Sequence, residues 1–431
     1  MSTPGIPDVP GQVGDGLGPV GDGLGPVGGG TEPDPRTEPG ERPPGPEDGA
    51  PPARRTATQG PVLVVGTGLL GTSLALALSA AGVEVQLSDT SPTSLALARD
   101  MGAGCPRRPG DAEPRLVVVA TPPDVAADVV LHALAAHPHA VVTDVASVKD
   151  QVVARVRRHG GAAAGRYVGS HPMAGRERSG AAAADSDLFA GRPWVVVADG
   201  SSARAELVVR DLAVDVGATP VPMGAAEHDA AVAAVSHIPQ LLSSLLAARL
   251  EPLPEAALAL AGQGLRDATR IAASDPRLWA AIVVGNAGPV TELLRAVRTD
   301  LDALIEGISA AAPPPGSPDS APGGAGAIAP GAVGAVTDVM SRGNAGRARI
   351  PGKHGGAPRR YAEVQVLVPD SAGELGRLFS DVGEAGVNIE DFSLEHSAGQ
   401  RAGLAMLSVR PSSAQDLQEA LDARGWRVVS G

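Results

Sequence analysis

Three observations on the 431-residue chain predict a doubly wound α/β domain, then an all-helical domain, then a small βαββαβ domain. A glycine-rich turn near residue 66 opens a series of short apolar runs separated by Ala/Leu-rich stretches. Residues 226 to about 310 carry long helical patterns and no convincing strand. From about residue 360 the pattern returns to strand, helix, strand, strand, helix, strand.

In chain order, residues 1–58 form an acidic tail rich in Gly and Pro, with a tandem repeat at 13–26. It has too little apolar surface to offset its ordering entropy, so disorder is expected. Residues 59–222 hold apolar runs at 62–65, 83–87, 116–120, 140–143 and 194–198. Continuous runs of this length predict parallel strands buried on both faces. Residues 223–310 are expected to form helices at 230–250, 255–273 and 276–308, the last opened by Asp275-Pro276. Residues 311–359 are expected to be a Pro/Gly-rich linker ending in a basic segment, 342–356, which reads as a solvated hinge or as a cover for an anionic ligand. Residues 360–431 make up the last domain.

Composition narrows the function classes. Aromatic residues are only 2% of the chain, so the cores must be built from Val, Leu, Ala and Ile. Net charge is -13, five units of it in the tail, and no basic stripe is present, which argues against nucleic acid as a partner. One cysteine, Cys105, leaves no intrachain disulfide and no Cys-based metal cluster, so no metal is expected and a reducing cytoplasm fits. The sequence presents no signal-peptide pattern and no uninterrupted apolar run of membrane-spanning length, so no membrane association is expected.

The turn Gly66-Thr67-Gly68-Leu69-Leu70-Gly71 follows an apolar strand and opens a helix. Gly66 permits the tight turn, Gly68 lets backbone approach a pyrophosphate, and Gly71 allows close helix–strand packing, which is the Rossmann-like fingerprint of a dinucleotide site. Asp89, at the end of the second strand, would take the adenosine ribose hydroxyls and repel a 2′-phosphate, so NAD is expected over NADP. It also reads as a solvated strand-end carboxylate. Thr121 and Pro122 lie past a strand's carboxyl end, where nicotinamide is commonly flanked, although Pro122 equally serves to end the strand.

His171 lies in Gly169-Ser170-His171-Pro172-Met173-Ala174-Gly175, read as a polar loop that presents a base active near neutral pH. Ser147, in Thr143-Asp144-Val145-Ala146-Ser147-Val148-Lys149, serves either as a hydroxyl at the strand's mouth or as the cap of a helix over 148–158. Together with Ser236-His237-Ile238-Pro239 and the stretch from Arg266 to Pro276, these motifs resemble the prephenate/arogenate dehydrogenase family of tyrosine biosynthesis, over roughly residues 61–308.

The resemblance implies an NAD-dependent oxidative decarboxylation of a cyclohexadienol acid, with a helical domain that dimerises and closes the cleft. His171 would be the base, and Ser147 would bond the substrate hydroxyl or orient the imidazole. Arg270 would hold a substrate carboxylate by two parallel bonds. His237 would sit near the substrate side chain, Glu177 would gate or polarise the pocket, and Trp279 and Asp267 would wall it. Other readings remain for these: a core histidine, a loop charge, helix packing, and an intrahelical partner of Arg266 or Arg270. The family often has Ser-His-Leu-Pro-His where this chain has Gln240 last, which puts a second titrating ring in doubt.

The last domain looks like an ACT domain, with Gly373 and Asn388 as contacts for an amino-acid effector, tyrosine by pathway logic, or else a pairing module without ligand. Prephenate and arogenate are not separated by any residue. A β-hydroxyacid dehydrogenase would be expected to place a lysine on the first long helix, and 230–250 has none. A non-catalytic NAD or amino-acid sensor would not need His171, Ser147 and Arg270 together.

Overall fold

The structure is a computed structural model that describes residues 56–175, 180–310, 330–351, 361–395 and 401–429. The acidic tail expected at 1–58 falls outside these residues up to position 55. Just ahead of the first strand, Asp215 accepts the backbone N–H groups of Ala57 and Thr58 at 3.2 and 2.6 Å.

Eight strands form one sheet: β1 (Val62–Val65), β2 (Val85–Ser88), β3 (Cys105–Pro106), β4 (Leu116–Val119), β5 (Val141–Asp144), β6 (Tyr167–Pro172), β7 (Pro193–Val197) and β8 (Thr219–Pro222). Their order is β3-β2-β1-β4-β5-β6-β7-β8. Alternate residues feed two cores, one per face: Val62, Val64 and Val118 pack with Leu74 and Leu78 of the helix Leu69–Ala80, whereas Leu63, Val117 and Val119 pack with Val130 and Val156. Two covered faces require the continuous apolar runs seen in the sequence.

Two expectations need correction here. The run at 194–198 is a strand, but β7 pairs antiparallel with β6, with His171 opposite Val195, and only β8 then runs parallel to β7. His171 lies not in a polar loop but within β6, all six residues of which are buried. The sequence Tyr-Val-Gly-Ser-His-Pro has no apolar run, and its polar groups are buried because hydrogen bonds satisfy them. Strands β3 and β8 also escaped the pattern, being short edge strands with proline, which an edge tolerates.

Beyond the sheet, Ala225–Val232, a π-helical turn Ala233–His237 and Ile238–Ala248 run on as one helix. At 24 residues it is long and apolar enough to cross a membrane by length and composition, although polar residues interrupt it and it is no continuous apolar run. It nevertheless buries His228, Asp229, His237, Gln240 and Ser243 in protein contacts, as a core helix does. The stretch predicted as one helix over 255–273 is broken into Glu255–Leu258, Gln263–Thr269 and the 3₁₀ turn Arg270–Ala272. The last predicted helix is interrupted at Asn286, between Pro276–Gly285 and Ala287–Ser309.

The expected linker and hinge contain a helix, Pro330–Arg347, so the basic segment begins as helix and not as hinge; 352–356 lie outside the described residues. Its cause is tertiary. A Cβ at Gly307 would overlap the Ala335 side chain, so Gly307 lets the two helices touch, and Arg342 bridges Asp300 and Asp338 at 3.0 and 2.8 Å.

The C-terminal residues form β9 (Ala362–Pro369), the helix Glu374–Glu384, β10 (Asp391–Glu395), β11 (Ala402–Val409), the helix Pro411–Ala423 and β12 (Arg427–Val429). The antiparallel sheet has the order β10-β11-β9-β12 and its own core, including Val366, Leu378, Leu407, Leu417 and Trp426.

Leu78 is fully buried between the first helix and β1. Leu78→Ala is expected to destabilise the fold by about 2–5 kcal/mol, read as a lower denaturant midpoint, and an unchanged midpoint would contradict the packing described.

Candidate active site

All parallel strands from β1 to β6 end at one edge of the sheet, and the predicted site segments collect there. Gly66 has φ +100°, and a Cβ on it would approach the Ala120 carbonyl oxygen to 2.5 Å. A Cβ on Gly71 would overlap the Gly66 carbonyl, so both positions require glycine. Gly68 faces open space and caps the helix Leu69–Ala80 without any side-chain bond, which leaves the helix N-terminal N–H groups for an anion.

Asp89 is tied to this turn. One of its oxygens accepts from the Thr67 N–H at 2.6 Å and the Thr67 hydroxyl at 2.7 Å, and the other accepts from the Ser91 N–H at 2.7 Å. Partial burial opposes ionisation, but the Ser91 and Thr67 hydrogen bonds outweigh it, and the carboxyl stays below its ordinary value. Thr121 has a buried hydroxyl with no partner among the described residues, and Pro122 caps the helix Pro123–Ala136. An open glycine cradle, a fixed acid and an orphaned hydroxyl on one sheet edge fit a dinucleotide.

On the same edge, at β6, lies a buried polar network. His171 Nδ1 is 2.8 Å from His228 Nε2, and His228 Nδ1 is 2.8 Å from Asp229 Oδ1. Asp229 also accepts the backbone N–H groups of Lys149 at 2.8 Å and Asp150 at 2.9 Å, at the start of the helix Asp150–His159. The Asn286 side-chain amide donates to the Asp229 carbonyl at 2.7 Å and lies 3.2 Å from His237 Nδ1. Burial, then the neighbouring His228, Lys149 and His237, hold His171 well below the ordinary imidazole value. Burial also brings His237 down to about 4, against the attraction of Asp229. Both rings are therefore neutral at physiological pH.

A second buried group lies alongside. Asp144, at the end of β5, is ion-paired with the fully buried Lys149 and accepts the Tyr167 hydroxyl at 2.6 Å. Burial lowers the Lys149 ammonium although Asp144 opposes the shift, and burial and Asp144 together raise the Tyr167 phenol. Ser147 is half-buried in this loop. The helix after it starts at Asp150 with Lys149 as its cap residue, which removes the capping role for Ser147.

The remaining predicted residues are more dispersed. The Trp279 ring, half-buried, meets His237 edge-on with centroids 6.1 Å apart. Asp267 accepts from Gln263 at 2.9 Å, and Arg270 is exposed at the start of its 3₁₀ turn. Gln240, which replaces the family's histidine, donates to Ser244 at 3.3 Å. Glu177 lies outside the described residues. In the C-terminal part, Gly373 takes a left-handed φ of +93° at the helix start, beside a cleft of about 230 Å³ that Leu375 and Leu394 help to line. Asn388 donates to Glu390 at 3.2 Å.

Sequence reasoning missed His228, Asp229 and Asn286, and quoted Asp144 and Lys149 without giving them a role. An adjacent His-Asp pair inside an otherwise apolar helix was the available signal, because buried charge must be paired.

Residues 74–220 match the family model for the nucleotide-binding domain of prephenate dehydrogenase, and residues 224–314 match that for its dimerisation domain. A probable prephenate dehydrogenase of Streptomyces niveus is 34% identical over 371 residues, covering 85% of this chain and 99% of that protein. The cyclohexadienyl dehydrogenase of Zymomonas mobilis is 29% identical over 265 residues, covering 58% and 88%. Among solved structures, prephenate dehydrogenase from A. aeolicus, in complex with hydroxyphenyl propionate and NAD+, is 26% identical with a TM-score of 0.56, covering 66% of this chain and 97% of that one.

Neutral burial of His171 and His237 carries a pH signature. The unfolded rings titrate near 6.5 while the folded ones are depressed, so their contribution to stability is complete above about pH 6.5 and is lost as pH falls from there toward 4. The urea midpoint is expected to drop between pH 7.5 and 5, and to drop less in His237→Gln. A midpoint that is flat over that range would contradict neutral burial.

Proposed function

The chain belongs to the prephenate dehydrogenase family, and on that premise we propose that it converts prephenate and NAD to 4-hydroxyphenylpyruvate, carbon dioxide and NADH. The observation that carries this reading is His171, buried and neutral at the sheet edge that also holds the glycine cradle. Gly66 to Gly71, Asp89, Thr121 and Pro122 would hold NAD, which when bound takes a hydride from the carbinol carbon of the ring.

The residues of the chain then handle the proton and the charges. Neutral His171 accepts the hydroxyl proton as that carbon becomes carbonyl-like. Ser147, in the adjoining loop, bonds the same oxygen. As the ring carboxylate leaves as carbon dioxide, its bonding electrons aromatise the ring, and His171 returns the proton to the phenolic oxygen. Arg270 pairs with a substrate carboxylate, His237 and Trp279, edge to face, bound the side-chain end of the pocket together with Asp267, and Glu177 would gate or polarise it.

A broader cyclohexadienyl specificity, arogenate included, is the second reading, favoured by the Zymomonas mobilis relative. Apolar side chains exposed on the helical part, Leu245, Leu260, Val284, Leu301 and Ile305 among them, support a homodimer. The kinship with bacterial biosynthetic enzymes fits a cytoplasmic location. The βαββαβ order of the C-terminal part and the cleft beside Gly373 support an ACT domain that takes an amino acid, with tyrosine as effector and Asn388 near it.

NADH absorbance measured with prephenate and arogenate, and with NAD and NADP in turn, tests the activity. Turnover of prephenate with NAD is expected, and His171→Asn should lower kcat by about 10²- to 10⁴-fold, the usual worth of a general base. No turnover of either substrate by the wild type would refute the reading. Deleting residues 360–431 is expected to abolish tyrosine inhibition while leaving most of the activity; inhibition that survives the deletion would place the effector at the active site.

A further inference from the structure

We infer that His228 and Asp229 are positioning residues that hold His171 in one tautomer, with its proton on Nδ1 and its lone pair on Nε2. The inference rests on the proposed role of His171 as base.

An ionised carboxylate only accepts, so the 2.8 Å contact from Asp229 Oδ1 to His228 Nδ1 requires a proton on Nδ1. With its one ring proton on Nδ1, His228 carries its lone pair on Nε2. That nitrogen is 2.8 Å from His171 Nδ1, so the proton between the rings belongs to His171 Nδ1. Nε2 is left as the nitrogen of His171 that can take a proton from a substrate hydroxyl. All three side chains are buried, and the two rings meet edge-on at 75°, so neither can rotate without breaking a buried bond.

Asp229 itself is fixed from outside the dyad. Its oxygens accept the Lys149 and Asp150 N–H groups, whose helix N-terminus favours the negative charge. Among the described residues, the charged and titratable groups around His171 are His228 and Asp229 on the helix Ala225–Val232, His237 in the π turn, Asp144 at the end of β5, Lys149 five residues on, and Tyr167 on its own strand. Of these, Asp229 alone is joined to His171 through an unbroken pair of ring hydrogen bonds. When His171 gains a proton at Nε2, both of its N–H groups are donors, and the Nδ1 bond to His228, whose far nitrogen is held by Asp229, stabilises the cation.

Asp229→Asn tests the relay. In D229N the amide nitrogen takes the place of Oδ1 and donates toward His228 Nδ1, at the loss of the Lys149 N–H bond, while the amide oxygen keeps the Asp150 N–H. That reverses both ring bonds and moves the His171 proton to Nε2. ¹⁵N NMR of the histidine side chains is expected to show His171 protonated at Nδ1 in the wild type and at Nε2 in D229N. In the same variant kcat with prephenate should fall by about 10²- to 10⁴-fold, the range seen when a base is held in the wrong tautomer, with KM and NAD affinity within about threefold. His228→Gln, which can still accept the Nδ1 proton, should keep at least about tenfold more kcat than His228→Leu, which cannot. A wild-type His171 protonated at Nε2, a D229N kcat within about threefold of wild type, or equal rates for H228Q and H228L would each overturn the relay. If the wild type turns over neither prephenate nor arogenate, the functional reading fails, while the nitrogen spectra still decide the tautomer.

Discussion

The Asp229 carboxylate joins the two halves of the catalytic body. It lies on the first helix after the sheet, yet its three donors are the two N–H groups that open the helix Asp150–His159 and the His228 ring. A charge this deeply buried costs several kcal/mol unless it is hydrogen-bonded, and here backbone and ring donors supply three bonds. The helical region is therefore held at the carboxyl edge of the sheet by hydrogen bonds of fixed direction as well as by apolar contact. Asn286, at the break between two helices, extends the tie by bonding the Asp229 carbonyl and reaching His237. The break in the predicted long helix over 276–308 is the backbone geometry that lets that amide turn inward.

Asp144 does similar work inside the sheet domain. It pairs with Lys149 five residues on, accepts the Ala146 N–H at 2.9 Å, and receives the Tyr167 hydroxyl from β6. A buried ion pair is weak as a source of stability, since desolvation offsets much of its attraction. What it does here is fix a loop conformation: the chain from 144 to 149 is closed on itself, and Ser147 is carried at a set place beside β6. The same closure directs the Lys149 and Asp150 N–H groups at Asp229, so the two buried acids cooperate in one frame.

How much of this was legible in the sequence depended on which signal each element carries. Strands β1 and β4 announce themselves because both faces of the sheet are covered and every residue must be apolar, and β5 does so through Val141 and Val142 before its polar end. The turn from Gly66 to Gly71 was legible because two of its glycines are sterically compulsory and the third leaves space for a ligand. Strand β6 was not legible, since its polar residues are buried by partners far away in sequence: Thr143 bonds Ser170 at 3.0 Å, and His228 bonds His171 across 57 positions. The helix Pro330–Arg347 was hidden for the opposite reason. Its glycines argue for a linker, and only the close approach at Gly307 and the bridge to Asp300 explain why it is helical. His171 was identified by its motif company, but the residues that would set its chemistry, His228 and Asp229, sit in a helix whose composition reads as ordinary core.

The π turn at Ala233–His237 bears on how this helix can change in length. A π turn holds one residue more than α geometry needs, so it acts as slack between two stretches with separate duties: Ala225–Val232 carries the acid and ring behind His171, and Ile238–Ala248 packs on Val290 and its neighbours. Loss of one residue inside the turn could relax it to ordinary α geometry while both flanks keep the faces they present. The same loss anywhere else in 225–248 would rotate one flank by about 100° against the other and take either the acid or the apolar stripe out of contact. Among lineages of this protein, single-residue gaps in this helix should therefore be confined to one short window.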